Sequence, residues 1–189
     1  CELTEPNANL EPETSEAFDI GVQWQSSDQR LTLGATVFDQ ETENLIDFSY
    51  TAGYDNIALV DSQGIELTGA YSVTDWLGVA ASYTFIDAVD GEGNELTRLP
   101  ENTGNVSLSL DPDGPFSGAV LVQYNGEEAN TDGSDLDSWT RVDLTGSYDL
   151  NETIELYGRI ENMFDGEYQQ ILGYGAPGLS GSVGLRLRY

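Results

Sequence analysis

The sequence predicts an all-β fold, an antiparallel up-and-down segment of a transmembrane β-barrel with about nine strands. Three observations carry this expectation. Apolar and polar residues alternate with a period of two along almost the whole chain. The connections between alternating stretches are short and long in turn. The aromatic residues gather at the two ends of the stretches rather than at their middles.

Taken in order, the first stretch places Phe18, Ile20, Val22 and Trp24 on one face and Asp19, Gly21 and Gln23 on the other. A short turn at Ser26 to Asp28 leads to Leu31, Leu33, Ala35 and Val37, opposite Arg30, Thr32 and Thr36. The third stretch shows Ile65, Leu67, Tyr71 and Val73, and the fourth Leu77, Val79, Ala81, Tyr83 and Phe85. Val106, Leu108 and Leu110 mark the fifth, and Val120, Val122 and Tyr124 the sixth. Val142, Leu144, Tyr148 and Leu150 mark the seventh, and Ile154, Leu156 and Ile160 the eighth. The last is Val183, Leu185, Leu187 and Tyr189, opposite Gly184, Arg186 and Arg188. Short connections fall near Ser27, Thr74, Asp111 to Pro115, and Asn151. Long ones are expected over 42–56, 87–102, 126–138 and 165–178. This asymmetry suits tight turns at one end of a barrel and long loops at the other, whereas Greek-key sandwiches mix the two.

Charge narrows the function. The chain has 34 acidic residues, 6 basic ones (all Arg) and no His, a net charge of -28. Such a surface repels nucleic acid, and it suits a protein exposed to saline medium, where ions screen self-repulsion. No apolar run is long enough for a transmembrane helix, a test that barrel strands escape by alternating. The chain lacks a signal peptide and does not start with Met, so a mature form or a fragment is expected. Cys1 is the only cysteine, which excludes a disulfide framework; a lipid-modified terminus there is the lesser alternative to a fragment boundary.

With the short turns at the periplasmic end, Trp24, Tyr71, Trp76, Phe116, Tyr148 and Tyr189 lie near that end, and Phe18, Tyr83, Phe85 and Tyr124 near the other. Two aromatic girdles around an aliphatic band fit a face in contact with lipid. Arg30, Arg141, Arg159, Arg186 and Arg188 occupy polar strand positions among Glu66, Asp143, Glu155 and Glu161, as in a wet or plugged lumen. Without His, neither a Ser-His-Asp triad nor a His-based metal site can form, and no enzyme, cofactor or metal site is expected. The acids at Asp87 and Asp90 or Asp135 and Asp137 could mimic a catalytic pair, and Asp87 to Glu95 partly resembles a calcium loop; a solvated acidic loop is the plainer reading. Tyr168 and Tyr174, in the last long loop, are candidate ligand contacts, although packing on the barrel rim explains them as well.

Several stretches together resemble the carboxy-terminal barrel of TonB-dependent outer-membrane receptors. They are NANLEPETSEAFDIGVQW, VFDQETENLID, YDNIALVDSQGIEL, YTFIDA, LYGRIENMFDGEY and GYGAPGLSGSVGLRLRY, in order and across nearly the whole chain. Leu179 and Glu11 depart from the family pattern, where Arg and a basic residue are usual. The resemblance implies a parent barrel of about 22 strands. Residues 1–189 would be one partial barrel domain, its last nine strands, with the plug domain and TonB-contacting segment outside the chain. It implies a Gram-negative outer membrane, lipid around the wall, energy from TonB through the missing amino-terminal region, and a ferric siderophore or cobalamin as ligand. The terminal strand, Val183, Leu185, Leu187 and Tyr189, resembles the signal read by the barrel assembly machinery. The alternatives are a soluble acidic extracellular β-sandwich acting as a binding module, and a porin-like channel without a plug.

Overall fold

The computed structural model describes residues 7–49, 53–130 and 133–188, and among them there is no helix. The strands are β1 (Thr14–Gln25), β2 (Leu31–Ser49), β3 (Gly53–Ser72), β4 (Leu77–Asp90), β5 (Asn102–Leu110), β6 (Phe116–Asn125), β7 (Glu128–Ala129), β8 (Asp135–Leu136), β9 (Trp139–Asp149), β10 (Ile154–Glu161), β11 (Gln169–Ile171), β12 (Tyr174–Gly175) and β13 (Ser180–Leu187). The nine long ones form a single antiparallel sheet in the order β1-β2-β3-β4-β5-β6-β9-β10-β13, each beside its neighbour in sequence. These are the nine strands that the alternation predicts. The sheet is open, with β1 and β13 at its edges.

Register turns the alternation into two chemically distinct faces. Following the paired positions from strand to strand, one row reads Trp24, Leu33, Gly69, Ala81, Val106, Val122, Val142. The adjacent row, one residue along each strand and therefore on the opposite face, reads Gln23, Gly34, Thr68, Ser82, Asn105, Gln123, Arg141. One row has no charge and the other no large apolar side chain. The apolar face stays uncovered: Val22 is 68% exposed and Val183 76%, while the buried hydrophobic residues are only Val60, Ala88 and Leu136 among those described. A soluble sandwich would bury this face under a second sheet. The other sheets among the described residues are two-stranded ribbons, β7-β8 and β11-β12.

Three expectations are revised. First, the loop expected at 42–56 is largely strand, since β2 runs to Ser49 and β3 starts at Gly53, whereas the loop expected at 87–102 stands and is only shortened, β4 reaching Asp90 and β5 starting at Asn102. These extensions break the period of two, with Leu45 beside Ile46 and an unbroken apolar run from Ile57 to Val60, so alternation cannot mark them. Asn56 ties one of them together, its Nδ2 donating to the carbonyls of Asn44 (2.6 Å) and Glu11 (3.1 Å) while its Oδ1 accepts the Glu11 N–H at 2.9 Å. Second, the stretches 126–138 and 165–178 are not plain loops but carry the two ribbons, which meet where β8 touches β11. Third, Arg30 lies just before β2, in the β1-β2 turn, where it pairs with Asp75 across an exposed 2.8 Å contact. Tyr189, given to the girdle and to the terminal signal, lies outside the described residues.

Candidate functional site

The polar face concentrates its charge on β9, β10 and β13. Asp143, on β9, is 3% exposed. Its Oδ2 accepts from Arg141 (3.1 Å) and Arg159 (3.3 Å), and its Oδ1 from the Asn162 backbone N–H (3.0 Å). Glu155, 4% exposed on β10, is clasped by Arg186 at 2.8 and 2.9 Å and by Arg188 at 2.6 Å. Arg186 also lies over the Tyr157 ring, 5.4 Å from its centroid, and Arg188 pairs with Asp149 at 3.1 Å. A carboxylate withdrawn from water needs such donors on both oxygens, and guanidinium groups supply them in pairs. Charge-assisted bonds of this kind fasten the last two strands of the sheet to each other.

The last long loop rises from this charged corner. Asn162, 2% exposed and with φ at 50°, is held by Asp143, and its own side chain closes the base of the loop. Nδ2 donates to the carbonyls of Gly166 (2.9 Å) and Pro177 (3.2 Å), and Oδ1 accepts the Gly166 N–H (3.0 Å). Tyr168 stacks on Trp139 with ring centroids 4.5 Å apart and accepts a 3.2 Å hydrogen bond from Arg141. Between this loop and the 135–138 segment lies a cleft of about 670 Å³, lined by Asp135, Asp137, Asp165, Glu167, Tyr168 and Leu172 among others.

The structure separates the two candidate ligand contacts. Tyr168 lines the cleft but has its ring and hydroxyl engaged, whereas Tyr174, on β12, is 74% exposed. Asp135 and Asp137 share the cleft wall. Asp90 closes a tight turn, its Oδ1 accepting the backbone N–H groups of Glu92 and Asn94, both at 2.9 Å. Among the described residues no group of three His, Cys, Asp or Glu is arranged to hold a metal ion. Of the terminal-strand residues, Val183, Leu185 and Leu187 lie on the apolar face of β13, where they pair with Gly158, Leu156 and Ile154. Trp139, Tyr157 and Asn162 went unselected by sequence reading. Asn162 stands in the quoted IENMFDGEY stretch, yet nothing in that string says that its side chain bridges Gly166 and Pro177.

An open antiparallel sheet with one uncovered apolar face and one ion-paired polar face defines the class of a membrane β-barrel wall. Residues 2–163 match the family described as TonB dependent receptor-like, beta-barrel. The chain belongs to that family. A vitamin B12 transporter, BtuB of Photobacterium profundum, is 31% identical over 178 residues, covering 86% of this chain and 28% of that protein. A probable TonB-dependent siderophore receptor, PiuA of Acinetobacter baumannii, is 25% identical, covering 86% of this chain and 24% of that protein. Among solved structures, PiuA from Acinetobacter baumannii superposes with a TM-score of 0.80 at 22% identity, over 97% of this chain and 30% of that one. The ferripyoverdine receptor of the outer membrane of Pseudomonas aeruginosa gives 0.77 at 18%, over 94% and 27%. The chain thus spans less than a third of the length of these relatives.

Proposed function

We propose that this chain is the wall and part of the outer mouth of an outer-membrane receptor that imports a bulky, scarce solute of the siderophore or cobalamin type, with TonB as its energy source. The apolar face meets lipid and the polar face lines the lumen, in a barrel of about 22 strands. The observation that carries this reading is the pair of adjacent rows, one apolar and one polar, running across seven strands. The named relatives are transporters and receptors rather than enzymes, which supports a transport role without chemistry. TonB would act through a segment outside this chain. Tyr174 is the better placed of the two tyrosines to touch ligand, with Tyr168 shaping the cleft beside it. The terminal strand, Val183 to Tyr189, would be the part read by the assembly machinery. The excess of acid, -28 overall, fits a saline habitat, where salt screens repulsion between the loops.

The decisive experiment compares two arginines in the full-length receptor. Val79→Arg, in the middle of the apolar face, should impair membrane insertion by about 2–4 kcal/mol. Thr68→Arg, on the polar face, should insert normally. Equal insertion of both variants would overturn the face assignment. Uptake of cyanocobalamin against uptake of a ferric siderophore by cells carrying the receptor then separates the two ligand classes.

A further inference from the structure

We propose that Asp143 is a positioning residue for the last outer loop. From the polar face of the sheet it fixes, through Asn162, the conformation of residues 162–179 and hence one wall of the cleft. Asp143 lies in the middle of β9 and does not line the cleft. Its effect on that wall passes through a partner. The partner suits the task. Asn162 holds a left-handed φ of 50°, which Asn tolerates better than most residues, and its amide bridges the two ends of the loop at Gly166 and Pro177. Glycine would accept that φ but lose all three side-chain bonds. Asp143 in turn has its two oxygens divided, one for the Asn162 N–H and one for Arg141 and Arg159, so that a single buried carboxylate anchors the loop base and orients Arg141.

Arg141 supplies a second attachment, donating to Tyr168 while Trp139 stacks on the same ring. Both attachments start from β9. Inside the loop, Asp165 Oδ1 accepts the Leu179 N–H at 2.7 Å, and a Cβ at Gly178 would come within 2.5 Å of that oxygen, so the loop closes on itself. Residues 162–179 are therefore a self-bonded unit held to the wall by side chains at two points that share Asp143, beside the backbone bond from the Met163 N–H to the Val142 carbonyl at 2.8 Å. Any consequence for uptake rests on the receptor reading above; the positioning itself does not.

The test is hydrogen exchange by mass spectrometry on the full-length receptor without ligand, with heat-modifiable migration in gels as the check on barrel folding. Asp143→Ala should speed exchange of the amides in 163–179 by about tenfold or more, leaving the strands Leu77–Asp90 and Asn102–Leu110 unchanged. Asp143→Asn keeps an acceptor for the Asn162 N–H but loses the charge facing the two arginines, and should fall between wild type and Asp143→Ala. Tyr168→Phe, which retains the stack and loses the Arg141 bond, should loosen only the part of the loop around 168–176. If Asp143→Ala does not assemble, the Asp143→Asn and Tyr168→Phe pair decides the matter by the same pattern. Unchanged exchange in 163–179, or an increase spread evenly over all nine strands, would overturn the proposal. Failure of the wild-type receptor to take up cyanocobalamin or a ferric siderophore would count against the transport reading alone, because the exchange result needs no ligand.

Discussion

At the scale of single residues, small side chains show where the wall is tightest. Gly64, on the polar face of β3, leaves no room for a Cβ: the Phe38 ring lies 2.5 Å from where it would sit, and the Phe85 backbone carbonyl crowds it from the other side. A ring can swing away, but a carbonyl inside a paired strand cannot. Gly64→Ala should therefore destabilise the sheet by about 1–3 kcal/mol, read as a lower unfolding midpoint in urea. Asp28 shows a residue working through charge. The Ser26 hydroxyl, then the Arg30 N–H, donate to its carboxylate and hold its pKa below 3.8, the ordinary value for Asp. Since the folded-state pKa is the lower one, the stabilisation is complete above the ordinary carboxylate range and disappears as pH falls through the folded value. Asp28→Ala should unfold more easily than wild type at neutral pH, with the difference vanishing in strong acid. A constant difference at every pH would show that shape rather than charge is what Asp28 contributes.

At the scale of elements, the same strand obeys two rules along its length. In the band, β2 and β3 alternate because lipid and lumen demand different side chains. Beyond it the period of two lapses, Val60 is buried, and the ribbon continues on backbone pairing and on Asn56. Asn44, with φ at 57°, leaves its carbonyl turned from the regular ladder, and Asn56 caps it. Asn56→Ala should cost about 1–3 kcal/mol locally. Limited proteolysis should then cut within 42–58 faster than in wild type, while fragments of the band survive. The loop expected over 42–56 was overestimated for this reason. Stretches without a regular period read as loop, and only the register, Leu45 with Ile57 through Ser49 with Gly53, identifies this one as paired strand.

At the scale of the whole molecule, an open sheet with two free edges and an uncovered apolar face is incomplete as a folding unit. In the proposed receptor, further strands would close it and lipid would cover it. The last strand is tied in by Arg186 and Arg188 through Glu155, so an end that would otherwise fray is held by charge-assisted bonds from inside. Deleting Tyr189 should slow assembly of the full receptor in membranes, measured as the half-time of heat-modifiable migration, far more than it changes ligand affinity. Normal assembly with weakened binding would contradict the role given to the terminus.

The nine strands, their order and their two faces were legible in the sequence. A two-residue period is a local property, dictated by which side chains tolerate lipid and which need water, and Val79 or Leu108 announces its face without reference to anything distant. The charged corner and the loop it holds were decided only by the tertiary structure. Asp143 and Asn162 are 19 residues apart, and Glu155 and Arg186 are 31. What makes them partners is the register of β9, β10 and β13, which brings distant donors onto one carboxylate. For Tyr168 the sequence offered both rim packing and ligand contact, and it could not name the partners Trp139 and Arg141, whose contacts exist only once the loop has folded back over β9.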